Sequence, residues 1–151
     1  MLESLRKVYE YELWALRRLL SAIEQHPPDH PTNVNFSHIL NAYQLWHDRM
    51  DGVADGVVPW EERSTADSLL MFDALGKRYR ETLDGLSDED LSREFSYATT
   101  EGIRHANTVG DILLHLSLHS AYHRGQINLQ IRLGGDEPVV LDYVMFVREH
   151  R

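Results

Sequence analysis

The sequence predicts an all-α fold, a four-helix bundle with a crossover connection, and three observations predict it. Four stretches repeat apolar residues at three- and four-residue spacing, the signature of helices with one buried stripe. Proline and glycine clusters separate them. The single stretch with strand-like alternation is too short to support a sheet fold of its own. A small extended flap before the last long helix and a short C-terminal helix complete the expected architecture, as one domain over residues 1–151 without internal repeats.

The first helix runs from Leu2 to about Gln25, with Leu5, Tyr9, Leu13, Leu16, Leu19, Leu20 and Ile23 on its stripe. Pro27, Pro28 and Pro31 stop it, since proline cannot continue the backbone ladder, and His26 and His30 in that polar connection are expected to be solvated. A second helix spans about Asn33 or Phe36 to Asp51, with Ile39, Ala42, Tyr43, Trp46 and Met50 inward. His38 and His47 lie on opposite flanks of that face, and periodicity alone does not choose between them.

The connection holding Gly52, Gly56 and Pro59 is long enough to cross an end of a bundle. A third helix follows from about Thr65 to Leu83, with Leu69, Phe72, Leu75 and Tyr79 inward, and Gly85 breaks it. Ser87 caps a short helical turn whose acids Asp88, Glu89 and Asp90 read as solvated. Residues 93–108 alternate around Thr99, Thr100, Glu101 and Gly102 and predict a hairpin or extended flap. Thr108 then caps the last long helix, with Asp111 in capping-box position; Arg132 and Gly134-Gly135 end it. The tail places Val140, Leu141, Val144, Phe146 and Val147 at helical spacing.

Composition narrows the function. The 151 residues carry a formal charge of −9 and no cysteine. The charge argues against a protein that grips nucleic-acid phosphates. The missing thiols leave only nitrogen and oxygen to build a metal site. The N-terminal segment is amphipathic and mixed in charge, neither a secretory core nor a membrane span, so a cytoplasmic location and no membrane partner are expected.

The chemistry concentrates in the last long helix. His115, His119 and His123 follow one another at four-residue spacing, within about a quarter-turn of Val109, Ile112, Leu116 and Ile127. Histidines inside an apolar stripe need partners, because an unpartnered buried polar group costs about 1–3 kcal/mol. A metal ion satisfies them together, since histidines at i and i+4 can direct two ring nitrogens at one ion. A single core histidine would instead be satisfied by a Tyr, an Asp or a carbonyl of a neighbouring helix. Bundles place metal ligands on facing helices, so a third ligand is expected from the second helix.

Residues 37–46 (SHILNAYQLW), 115–127 (HLSLHSAYHRGQI) and 141–149 (LDYVMFVRE), with the FSYATTEG connector, resemble the DinB-like family of DNA-damage-inducible four-helix-bundle proteins. The resemblance covers nearly the whole chain, and HxxxHRGQ is its most specific element. It implies a divalent metal held by His38, His119 and His123, with His115 matching a family histidine that is not a ligand. The chain departs from the pattern at Tyr43, where a carboxylate is frequent, and at Tyr122, where a further histidine is frequent. Tyr43, Tyr122, His115 and Gln126 are thus candidates to surround the ligands and tune the metal.

Three imidazoles with an open position for water or thiol imply a catalytic type of site. Zinc or nickel suits it best, and iron or copper also accepts imidazole. The resemblance further implies a hydrolase or a transferase using a low-molecular-weight thiol, with a small-molecule substrate, and a homodimer. The competing class is a non-catalytic bundle whose metal is structural or senses stress. Of the neighbouring residues, Arg124 reads as solvated or paired with an acid such as Asp142, and Gly125 as a point of close helix packing. Asp142 reads as a helix cap, and Trp14, Trp46 and Trp60 as core or pocket lining.

Overall fold

The apolar repeats fold as four long helices, α1 (Leu2–Ile23), α2 (Thr32–Met50), α3 (Thr65–Gly85) and α4 (Val109–Leu133), followed by the short α5 (Tyr143–Glu149). The structure is a computed structural model and describes residues 1–27, 30–53, 56–99 and 101–150. Pro28, expected to help stop the first helix, and Thr100, expected in the hairpin turn, lie outside the described residues. Side-chain caps set two helix starts. Ser64 Oγ accepts the Asp67 N–H at the head of α3, and Thr108 Oγ1 accepts the Asp111 N–H at the head of α4.

α2 packs most extensively on α4 and next on α3, while α1 lies against α4 and α3. Sequence neighbours α1 and α2 touch far less, so the bundle is crossed and not an up-and-down meander. Its core is built from Leu16, Leu19, Leu20, Phe36, Ile39, Leu40, Leu113, Leu116 and Ile127, all buried. Tyr9 of α1 stacks on Tyr79 of α3 with ring centroids 3.7 Å apart. The expected flap is a two-stranded antiparallel hairpin, β1 (Glu94–Ala98) and β2 (Arg104–Thr108), paired Glu94 to Thr108 through Ala98 to Arg104. Gly102, at φ +82°, makes its turn possible. Because Thr108 both ends β2 and caps α4, the hairpin aims the histidine helix.

Three expectations are corrected, for Arg124, for Gly125 and for the His26/His30 pair. Arg124 is neither solvated nor paired with Asp142; it is buried and forms an ion pair with the equally buried Glu12 of α1. It also donates to Ser120 Oγ at 2.9 Å and to the Tyr11 hydroxyl at 3.1 Å. Gly125 is not a packing point, for a Cβ built there would meet nothing within 4 Å. Asp88 is solvated as expected, and its carboxylate also accepts the Leu2 N–H at 2.8 Å and lies 3.0 Å from the N-terminal ammonium. His26 and His30 are half-buried and stack at 4.4 Å, His26 lying 3.7 Å from the Asp136 carboxylate. The chain after α4, turned by Gly135 at φ +97°, comes back against their connection. Among the described residues no helix is long and apolar enough to cross a membrane.

Candidate metal centre

One geometric fact organises the three histidines of α4. Each four-residue step turns about 40° past a full circle, so side chains at that spacing drift around the helix. The drift carries His115 out of the apolar stripe where it was expected: it is exposed, His119 is half-buried and His123 is buried. His115 packs edge-on against Trp46 at 5.7 Å and has its ring centre 5.5 Å from that of His119. His119 and His123 instead turn toward α2 and meet His38.

In this cluster each residue of His38, His119 and His123 offers one ligand atom, and these atoms all lie within 4.8 Å of one another. The Nε2 atoms of His38 and His119 are 3.2 Å apart. Two nitrogens bound to one tetrahedral zinc, each about 2.0–2.1 Å from it, stand about 3.3 Å apart, so the spacing fits a shared ion. The far side of two rings is engaged as metal ligation requires. His38 Nδ1 donates to the Pro59 carbonyl at 2.8 Å, and His123 Nδ1 to Gln126 Oε1 at 2.8 Å, with Asn35 Oδ1 at 3.2 Å. With the protons on Nδ1, the Nε2 lone pairs face inward.

Burial, followed by the mutual proximity of His123, His38 and His115, pushes the His119 pKa down to about 4. Burial likewise lowers those of His38 and His123. The rings are therefore neutral at pH 7, the state in which imidazole binds metal.

Trp60 lies flat on His38, with ring centroids 3.6 Å apart and planes 4° from parallel, and meets His123 edge-on at 5.8 Å. The loop that delivers Trp60 and Pro59 is pinned to α2. Asn41 Nδ2 donates to the Glu61 carbonyl at 2.8 Å, and Ser37 Oγ accepts the Arg63 N–H at 3.0 Å. An open cavity of about 760 Å³ surrounds the cluster, with Tyr122, Leu129 and Gln130 at its edge. A larger one, about 960 Å³, lies among α1, α3 and α5, where Arg17 pairs with Asp73 and Arg80 with Glu10.

The remaining candidates separate cleanly. Gln126 contacts a cluster histidine as expected, and Tyr122 lies at the rim with its ring 5.1 Å from that of His123. Tyr43 does not reach the cluster; it is buried on the other flank of α2, donating to Glu12 at 3.4 Å beside Tyr79. His47 is buried against Tyr79, at 5.1 Å, away from the α4 pair. Asn35 and Pro59 were not foreseen. Asn35 sits one turn before His38 on α2 and was readable from spacing, whereas nothing local marks a carbonyl 21 residues away.

The DinB family model matches residues 1–150 of the chain, and no curated protein matches it.

Proposed function

The chain belongs to the DinB family, and from that premise we propose that it holds one divalent metal ion through His38, His119 and His123 and acts as a metal-dependent enzyme on a small molecule. The observation that carries this reading is the convergence of three neutral imidazoles beside an open cavity. Structural metal sites usually close all four positions with protein ligands; among the described residues the protein offers three, beside an open cavity. Zinc and nickel suit such donors best. When bound, such an ion supplies Lewis acidity that makes a water or a thiol a better nucleophile at neutral pH.

The chain's own residues orient and select. Pro59 and Gln126 hold two ligand rings in the required tautomer. Trp60 fixes the plane of His38, and Tyr122 and Leu129 supply an apolar wall against which a small substrate can rest. Among the described residues no carboxylate lines this cavity. Three neutral donors also leave a dication uncompensated, and the site then favours an anionic occupant such as a thiolate. That combination favours a thiol-dependent transferase over a hydrolase that relies on a carboxylate base.

Metal analysis of the purified protein should find one divalent ion per chain, and His38→Ala should lose it. The cobalt-substituted protein should then change its visible spectrum on adding a small thiol. Full metal retention by His38→Ala would refute the ligand set. A cobalt spectrum indifferent to thiols would refute the transferase reading.

A further inference from the structure

We propose that the cavity among α1, α3 and α5 is a second binding site, for a small flat aromatic carboxylate. Its volume is about 960 Å³, and it shares no lining residue with the cavity at the histidine cluster. Pockets for small organic ligands span roughly 300–1,000 Å³ and pair apolar walls with a few polar groups that fix orientation. This cavity has both.

Polar rungs between α1 and α3 give it its shape. Arg6 donates to the Leu83 carbonyl at 2.8 Å, Arg80 holds Glu10 through two contacts at 3.0 and 3.2 Å, and Arg17 pairs with Asp73. Residue numbers rise along α1 as they fall along α3, so the helices run antiparallel, with the first two rungs about one turn apart and the third about two turns further on. One rung is missing between them. There Leu13 faces Gly76, where an added Cβ would come 3.3 Å from Leu13 Cδ2. The seven residues from Glu10 to Arg17 span about 10 Å of helix, a gap that suits a body of two fused rings. Trp14, Phe72 and Phe146 wall it, with the Trp14 and Phe146 ring centroids 5.9 Å apart. Such walls receive flat rings by offset or edge packing.

Charge selects the other part of the ligand. At the Arg80 end Lys7 lines the cavity, three residues before Glu10 on α1, and its ammonium has no ion-pair partner among the described residues. Arg6 lines the same end and keeps its Nε–H buried without a hydrogen-bond partner, so part of its charge is unanswered by the protein. Arg80 spends Nε and one terminal nitrogen on Glu10 and retains N–H groups on the other. Arg6, Lys7 and Arg80 thus stand against Glu3 and Glu10, a positive balance in a chain whose formal charge is −9. The field at this end draws an anion, and a carboxylate takes charge-assisted hydrogen bonds from such donors. The inference stands whether or not the histidine cluster carries an ion.

Naphthoate is the probe. Titrated into the isotope-labelled protein and followed by NMR, it should saturate and should move the Trp14 indole N–H and the Gly76 amide resonances. The same shifts should appear in His38→Ala, which removes one of the clustered imidazoles as a route for the carboxylate. Naphthamide keeps the rings and loses the charge, and hexanoate keeps the charge and loses the rings; each should bind at least about tenfold more weakly. Lys7 is exposed and unpaired among the described residues, so Lys7→Glu should leave the circular dichroism spectrum unchanged while weakening naphthoate about tenfold. No saturation at millimolar naphthoate, shifts confined to α2 and α4, equal affinity for naphthamide or hexanoate, or full affinity in Lys7→Glu would each overturn the proposal.

Discussion

Replacing Arg124 with methionine tests whether the buried ion pair with Glu12 holds α1 to α4 beside the histidine cluster. Both partners are almost fully enclosed, at 3% and 1% exposure. Removing the guanidinium leaves a carboxylate in the core with, among the described residues, the Tyr43 hydroxyl at 3.4 Å to satisfy it. Breaking such a pair from one side costs about 3–5 kcal/mol, because the surviving charge has no compensation. A ceiling follows from the escape open to any carboxylic acid. Taking up a proton at pH 7 costs about 3.7 kcal/mol for a glutamate of ordinary acidity, and about 1 kcal/mol at pH 5. Arg124→Met is therefore expected to lose about 3–4 kcal/mol at pH 7, roughly 10 °C in Tm for a chain of this length. The loss should shrink toward pH 5, where the stranded acid is neutralised cheaply. Glu12→Leu/Arg124→Met removes both charges and should recover most of the loss at pH 7. Denaturant unfolding at the two pH values measures all of this. A cost equal at pH 5 and pH 7, or a double variant no more stable than the single, would show that packing and not the stranded charge sets the penalty.

Three further outcomes are expected. Burial pushes the His47 pKa down to about 4, so the folded state resists its protonation; stability should be full above pH 6.5 and fall by up to about 3 kcal/mol as pH drops to 4. His47→Phe should flatten that limb in pH-dependent melts without lowering stability at pH 7, because neither ring nitrogen has a hydrogen-bond partner among the described residues. Gln126→Ala should weaken metal affinity about tenfold or more, read by competition with a chromophoric chelator, since it frees His123 Nδ1; unchanged affinity would leave the orientation to Asn35 alone. Chelator treatment should lower Tm only by the linkage term for a bound ligand, because α2 and α4 already pack through Phe36, Ile39, Leu113 and Leu116. Collapse of the helical signal on chelation would instead assign the metal a structural role.

The helices, the cap of α4 and the hairpin were legible because each rests on local signals: three- and four-residue spacing, Thr108 before a helical run, and glycine in the tight turn. Non-local partners were not. Arg124 and Glu12 are 112 positions apart, and nothing in either neighbourhood shows that one charge is buried for the other. Tyr43 looked like a neighbour of His38 on the same helix, yet five residues of rotation carry it about 140° away, into the Tyr79 and Glu12 side of the bundle. Trp60 belongs to a loop whose path depends on hydrogen bonds to Ser37 and Asn41, and its stacking on His38 follows from tertiary structure alone.

α4 explains both what was readable and what was missed. It is apolar around much of its circumference, and a pattern of that kind reads as one broad buried face. The chain has only enough neighbours to cover part of it: Leu113, Leu116 and Ile127 enter the core, while Leu118, Leu129 and Leu133 face outward. The histidines mark the boundary between the two sectors. Their 40° drift per step takes one end of the row into the α2 seam and leaves the other in solvent. A histidine cluster built at such a seam has firm support on its inner side, through Pro59, Asn35 and Gln126, and open space on its outer side. The same rotation thus accounts for a preorganised cluster, an open cavity beside it, and an outer leucine stripe left exposed.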